Sequence, residues 1–150
     1  MKKGIVVGCV DPRLHDVLPR AAEVMGVERV YMFRAAGPDG VWRDPSLAEE
    51  KKGTLAGVRR LSTLAPIDAI AFVGHTDCAG HCVSDEEHRQ HVLEAAQALK
   101  SELEVEQPVF AIIAVPQARS WFARMWQRLL GPRQGSTADT DWSLEPLGTF

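Results

Sequence analysis

Apolar residues fall along this chain in two alternating rhythms. Four short runs are apolar or aromatic throughout: Gly4 to Val10, Val30 to Phe33, Ala69 to Val73 and Val109 to Val115. Between them lie stretches with an apolar residue every three or four positions. Unbroken apolar runs of this length predict strands buried on both faces, and the longer period predicts amphipathic helices. Strands that alternate with helices predict an α/β fold with a central parallel sheet of four strands and helices on both faces. With strand order 2-1-3-4, right-handed crossovers put every strand's C-terminal end on one edge of the sheet. Ligands bind at that edge, where the winding direction reverses.

Local signals place the helices. Asp16 is a candidate cap for a helix running to Met25, with Pro19 tolerated in its first turn and Gly26 closing it. Asp44-Pro45 reads as an N-cap followed by proline at the first helical position, with helical character to about Leu64 and a candidate break at Gly53. Ser84 and Glu87 form a capping box, and the helix they open carries Val92, Ala95, Ala96, Leu99 and Leu103 on one face. A last helix is expected from the stripe Ala118, Trp121, Phe122, Met125 and Leu129, with Trp126 off the stripe as a candidate interface residue. These elements make a domain over 1–131. The remainder, 132–150, reads as a loosely ordered polar tail. Trp142, Leu144, Leu147 and Phe150 are spaced through it, so that it can dock on its own domain or on a partner subunit.

Composition narrows the class. A chain of 150 residues, 45% apolar and 25% charged, is the size of one domain able to bury a proper core. A net charge of -3 gives no footprint for nucleic acid or for an anionic membrane surface. No window approaches the roughly 18 apolar residues of a membrane span. Met1-Lys2-Lys3 imitates the start of a signal peptide, but the apolar run after it is short and meets Asp11 and Arg13 at once. Three cysteines, an odd number, fit a reduced cytoplasm rather than a disulfide framework.

The candidate chemistry lies in two segments, Cys9-Val10-Asp11-Pro12-Arg13 and His75-Thr76-Asp77-Cys78, each following a predicted strand. If strands one and three are neighbours, the segments meet at the switch point. Zinc favours four tetrahedral nitrogen and sulfur ligands, and Cys9, His75 and Cys78 supply three. Water or substrate in the fourth position makes such a site catalytic; a protein carboxylate there closes it. Asp11 can bind the metal itself or turn aside to Arg13 in a charge-assisted pair, which leaves it to orient a zinc-bound water. Zinc brings that water's pKa from 15.7 to about 7, giving hydroxide at neutral pH. The competing account makes Cys9 and Cys78 small buried hydrophobes, His75 a turn cap, and Asp11–Arg13 a loop ion pair of little consequence.

Cys9-x-Asp11-x-Arg13 followed by Gly74-His75-x-x-Cys78 resembles the β-class carbonic anhydrase signature. Arg34-Ala35-Ala36-Gly37 is similar to that family's Arg-Asn-Ala-Gly segment, and the similarity spans roughly residues 4 to 82. The resemblance implies a cytoplasmic zinc enzyme interconverting carbon dioxide and bicarbonate by a zinc-bound hydroxide, built as a homodimer or larger homo-oligomer. One zinc per chain would be held by Cys9, His75 and Cys78, with Asp11 and Arg13 as the catalytic dyad. Pro12 stands where the family commonly has serine, Ala35 replaces the asparagine, and Ala79 replaces a usual glycine. No residue matches by motif the substrate-binding glutamine that the family's N-terminal arm helps to supply. The scaffold is also similar to relatives that hydrolyse carbonyl sulfide or carbon disulfide, and the losses at 12, 35 and 79 favour another alternative, a non-catalytic zinc-binding or partner-binding relative.

Other residues bear on the same region. Cys82 is read as a free cysteine, because a third thiolate would close the site. His15 and His81 are candidate proton shuttles, weighed against a reading as exposed loop histidines. His88 and His91, three apart on the helix opened by Ser84, are weighed as metal ligands against a solvated helix face, and the solvated face is preferred.

Overall fold

A computed structural model describes residues 1–117 and 142–150. Its strands are β1 (Lys3–Cys9), β2 (Arg29–Ala35), β3 (Ala69–His75), β4 (Val109–Pro116) and β5 (Trp142–Thr149). Its helices are α1 (Ala21–Met25), α2 (Pro38–Val41), α3 (Ala48–Leu64) and α4 (Asp85–Leu103). The sheet order is β2-β1-β3-β4-β5. The first four strands are parallel and β5 runs antiparallel to β4. The reversal of winding falls between β1 and β3.

The parity of the strands sorts the core into two layers. Val6, Ala69, Ala71 and Val73 pack on Leu14, Val17, Leu18, Ala21 and Met25. On the opposite face, Ile5, Val7, Ile70 and Phe72 meet Leu55 and Val58 of α3 and Val92, Ala95, Ala96 and Leu99 of α4. Burial on both sides is why these strands are apolar without alternation. No helix among the described residues is long and apolar enough to cross a membrane.

Most local signals hold. Ser84 Oγ accepts from Glu87 N, and the Glu87 carboxylate accepts from Ser84 N at 2.9 Å, closing the capping box. Gly26 ends α1 in the left-handed region at φ 66°. Three expectations need correction. Asp16 does not cap a helix: the chain first winds through two 3-10 turns, Pro12–Leu14 and Leu18–Arg20, and α1 begins at Ala21. The amides of Leu14, Val17 and Arg20 donate to carbonyls three residues back, those of Asp11, Leu14 and Val17, which is the tighter winding. Gly53 does not break α3, which runs unbroken past it to Leu64.

The third correction adds a strand. Residues 142–149 are not loosely ordered but dock on their own domain, as their spaced apolar residues allowed, pairing with β4 from Phe110 opposite Thr149 to Pro116 opposite Trp142. The pattern hid the strand because Pro146 and Gly148 interrupt it. Proline is tolerated at a sheet edge, and the register shifts between Ala111 and Ile112, where Pro146 is met. The expected last helix and the 131/132 boundary lie outside the described residues.

Two glycines of α3 separate propensity from packing. A Cβ on Gly53 meets nothing within 4 Å, whereas one on Gly57 would lie 2.1 Å from the Phe33 ring on β2. Gly53→Ala should therefore stabilise the fold by up to about 1 kcal/mol. Gly57→Ala should destabilise it by about 1–3 kcal/mol, since Phe33 must leave its place. Urea unfolding of both variants checks the opposite signs.

Candidate metal centre

The parallel pairing of β1 with β3 carries the two chemical segments to adjacent strand ends. Cys9 closes β1 and His75 closes β3, and Thr76-Asp77 turns the chain so that Cys78 folds back beside them. Asp77 takes the left-handed conformation this turn requires, at φ 57°. Cys9, His75 and Cys78 are all buried, and each offers a ligand atom within 4.8 Å of the others.

The donors fit one tetrahedral ion. The Cys9 and Cys78 sulfurs lie 3.9 Å apart. Two sulfurs bound to one zinc at about 2.3 Å stand about 3.8 Å apart. The 2.9 Å contact of His75 Nδ1 with the Thr76 carbonyl assigns the ring proton to Nδ1. Nε2 then carries the lone pair, and this buried atom has no hydrogen-bond partner among the described residues. An orphaned lone pair beside two thiols is the donor set that a zinc position requires.

Electrostatics splits the thiols. Cys9 is pulled down to about 4, chiefly because the Cys78 thiol donates to its sulfur; burial opposes this, and the backbone amides of Asp11 and Gly37 reinforce it. Cys78 is pushed up by the same contact and by burial. The pair thus readily provides a first thiolate, the ligating form of cysteine.

Asp11 turns aside. Arg13 Nε donates to both of its oxygens, at 3.1 and 3.0 Å, and Nη2 donates to Oδ2 at 2.7 Å. Its Oδ1 also accepts the Arg13 backbone N–H, starting the first 3-10 turn. These bonds hold the Asp11 carboxyl below its usual range. Arg13 also donates through Nη1 to Asp77 Oδ2 at 3.1 Å and through Nη2 to the Asp77 carbonyl at 3.0 Å. One guanidinium therefore ties the Cys9 segment to the His75–Cys78 segment. Asp11 Oδ2 remains 4.0 Å from His75 Nε2.

Sequence reasoning missed two contributors. Trp142 of β5 stands edge-on to His75 at 5.9 Å, and the Arg13 guanidinium lies 5.7 Å from its ring centre. Gly37, at φ 51°, brings α2 against the Cys78 loop: a Cβ there would lie 2.6 Å from the Gly80 carbonyl oxygen. The Arg34–Gly37 segment was singled out only by resemblance, and Trp142 only as an apolar residue in a tail.

The remaining histidines divide. His15 is exposed. His88 is fully buried, so the solvated-face reading fails for it, and His91 is half-buried. The reason is tertiary: Asp39 of α2 also lies fully buried and contacts His88 Nδ1 at 2.7 Å. Cys82 is exposed and its Sγ points to the Cys78 and Ala79 carbonyls, away from the ligand set.

A doubly wound α/β domain with a Cys-His-Cys cluster at its switch point defines a β-carbonic-anhydrase-like protein. A family model described as "Putative carbonic anhydrase" matches residues 1–114, and the chain belongs to that family. None of the curated proteins compared with it matches the chain.

The differing burial of the thiols is open to direct measurement. In the native metal-free protein, one thiol, Cys82, should react rapidly with Ellman's reagent, and Cys9 and Cys78 should react slowly. Cys82→Ala should abolish the fast phase, while all three thiols react at once in guanidinium.

Proposed function

We propose that the chain catalyses the reversible hydration of carbon dioxide to bicarbonate with one zinc ion held by Cys9, His75 and Cys78. The observation that carries this reading is the fork by which Arg13 turns the Asp11 carboxylate away from a complete Cys-His-Cys ligand set, leaving a fourth position free. Zinc bound there would supply a Lewis acid able to bring the pKa of water to about 7. The chain's own residues do the rest. Arg13 keeps Asp11 ionised, so Asp11 serves as an acceptor that orients a donor rather than as a base. Asp11 Oδ2 stands 4.0 Å from His75 Nε2, so the carboxylate would present an acceptor toward the ligand set. Trp142 and the buried strand ends shield one wall from solvent, which strengthens every charge interaction inside.

The same proposal includes assembly as a homodimer or larger homo-oligomer, and action in a reducing cytoplasm that keeps Cys9 and Cys78 available as thiolates. Carbonyl sulfide and carbon disulfide present the same kind of small electrophilic carbon and are the alternative substrates. Pro12, Ala35 and Ala79 are the departures that favour a zinc-binding relative without turnover.

Purified protein should carry close to one zinc per chain by mass spectrometry, and Cys78→Ser should lose it. Asp11→Ala should keep its zinc yet lose about a hundredfold or more in carbon dioxide hydration, the scale of a misoriented reactant. Stopped-flow pH-indicator assays read this out, and full activity in Asp11→Ala would sink the role given to Asp11. Stoichiometric zinc without activity on any of the three substrates would favour the non-catalytic relative.

A further inference from the structure

A second cluster lies outside the chemistry described so far. Asp39 comes from α2, His81 from the loop after β3, and His88 and His91 from α4. Asp39, His81 and His88 each offer a ligand atom within 4.8 Å of the others. His88 Nδ1 is 2.7 Å from Asp39 Oδ2, and His81 Nε2 is 4.0 Å from the same oxygen. His81 Nε2 also lies 2.7 Å from His91 Nδ1, which makes His91 a fourth donor at the open side.

The cluster is built into the fold. His88 and His91 are three apart on α4, the spacing that projects two side chains from one face. His81 reaches them because position 40 is glycine: a Cβ there would lie 2.6 Å from His81 Nδ1. The ring therefore rests on the α2 backbone by its Nδ1 edge and turns Nε2 to Asp39 and His91. Asp39 and His88 are 0% exposed. Two of their atoms, Asp39 Oδ1 and His88 Nε2, are buried with no hydrogen-bond partner among the described residues.

A buried carboxylate with an unpaired oxygen is costly unless a positive charge sits beside it. A dication held through His88 Nδ1 would supply that charge, since it takes lone pairs from imidazoles and carboxylate together. Nitrogen and oxygen donors around one tetrahedral zinc stand about 3.3 Å apart. The contacts of Asp39 with His88 and His81 and of His81 with His91, 2.7 to 4.0 Å, straddle that value, and the ligand atoms of Asp39, His81 and His88 all lie within 4.8 Å, so side-chain rotations bring them to one ion.

We propose that Asp39, His81 and His88, completed by His91, form a second metal site for a divalent first-row transition ion. Its nitrogen and oxygen donors suit zinc, cobalt or nickel, and its chemistry differs from that of the thiolate centre. The two sites share one loop: the His81 amide donates to the Cys78 carbonyl at 3.1 Å. They do not share a ligand, so the proposal stands whether or not the thiolate centre is catalytic.

The test removes the first site and asks for the second. Full-length Cys9→Ser/Cys78→Ser protein is titrated with Zn2+ by calorimetry and with Co2+ by absorption. One ion per chain should bind, and the cobalt spectrum should lack thiolate charge transfer. Adding His81→Ala and His91→Ala, neither of them a fully buried residue, should weaken binding by about a hundredfold or more, at least the loss typical of weaker perturbations around a metal. Absence of stoichiometric binding in a folded Cys9→Ser/Cys78→Ser protein overturns the proposal. So does binding that His81→Ala/His91→Ala leaves unchanged. If the serine variant does not fold, the wild-type chain in excess zinc is weighed by native mass spectrometry. Two ions falling to one in His81→Ala/His91→Ala supports the site. One ion in both proteins overturns it and leaves the thiolate centre intact.

Discussion

The register of two parallel strands governs everything at the candidate site. β1 and β3 pair from Gly4 opposite Ala69 to Gly8 opposite Val73. That pairing leaves Cys9 one residue and His75 two residues beyond its end, at one edge and on neighbouring strands. A slip of one residue would send each side chain to the other face of the sheet. The register resists slipping because both faces are filled: Val6 and Val73 belong to one core layer, and Ile5, Val7 and Phe72 to the other. The apolar core is thus also the positioning device for the chemistry. Gly8 contributes by absence, since a Cβ there would lie 2.7 Å from Leu18. Its bare backbone lets the 3-10 segment settle on the strand and hold Arg13 in place.

Arg13 converts that placement into a charge arrangement. Lysine could not do the same work, because a fork is needed to engage Asp11 and Asp77 together. The half-exposed ion pairs it makes would add little to stability as isolated contacts. Their importance is directional: they fix which way Asp11 points. The thiols follow the same logic, each setting the proton affinity of the other.

Signals in the sequence were legible where their cause was local or repeated. The four core strands stood out because burial on two faces writes an unbroken apolar run. The Ser84–Glu87 box stood out because its bonds span three residues. Cys9, His75 and Cys78 were legible because zinc chemistry restricts residue type, although only the fold shows their sulfurs 3.9 Å apart. What escaped depends on distant partners. Asp39 sits in a Gly-Pro-rich stretch that reads as loop, and only packing against α4 buries it with His88. β5 escaped because an edge strand needs only one good partner, and Pro146 and Gly148 disguise its pattern. The Asp16 helix failed because Leu14, Val17 and Leu18 pack into the core from two 3-10 turns, a tertiary arrangement that a local cap signal does not report.

Trp142 makes the candidate centre depend on parts of the chain far apart in sequence. Its walls come from stretches around residues 9, 37, 75 and 142, so nearly the whole chain must be threaded before the last wall closes. Contacts this distant in sequence form slowly, because the intervening loops must first be ordered. Until β5 docks, the buried thiols stand open on one side to oxidants and stray soft metals. The edge strand would thus act as a shield for the two sulfurs as well as a wall of the site.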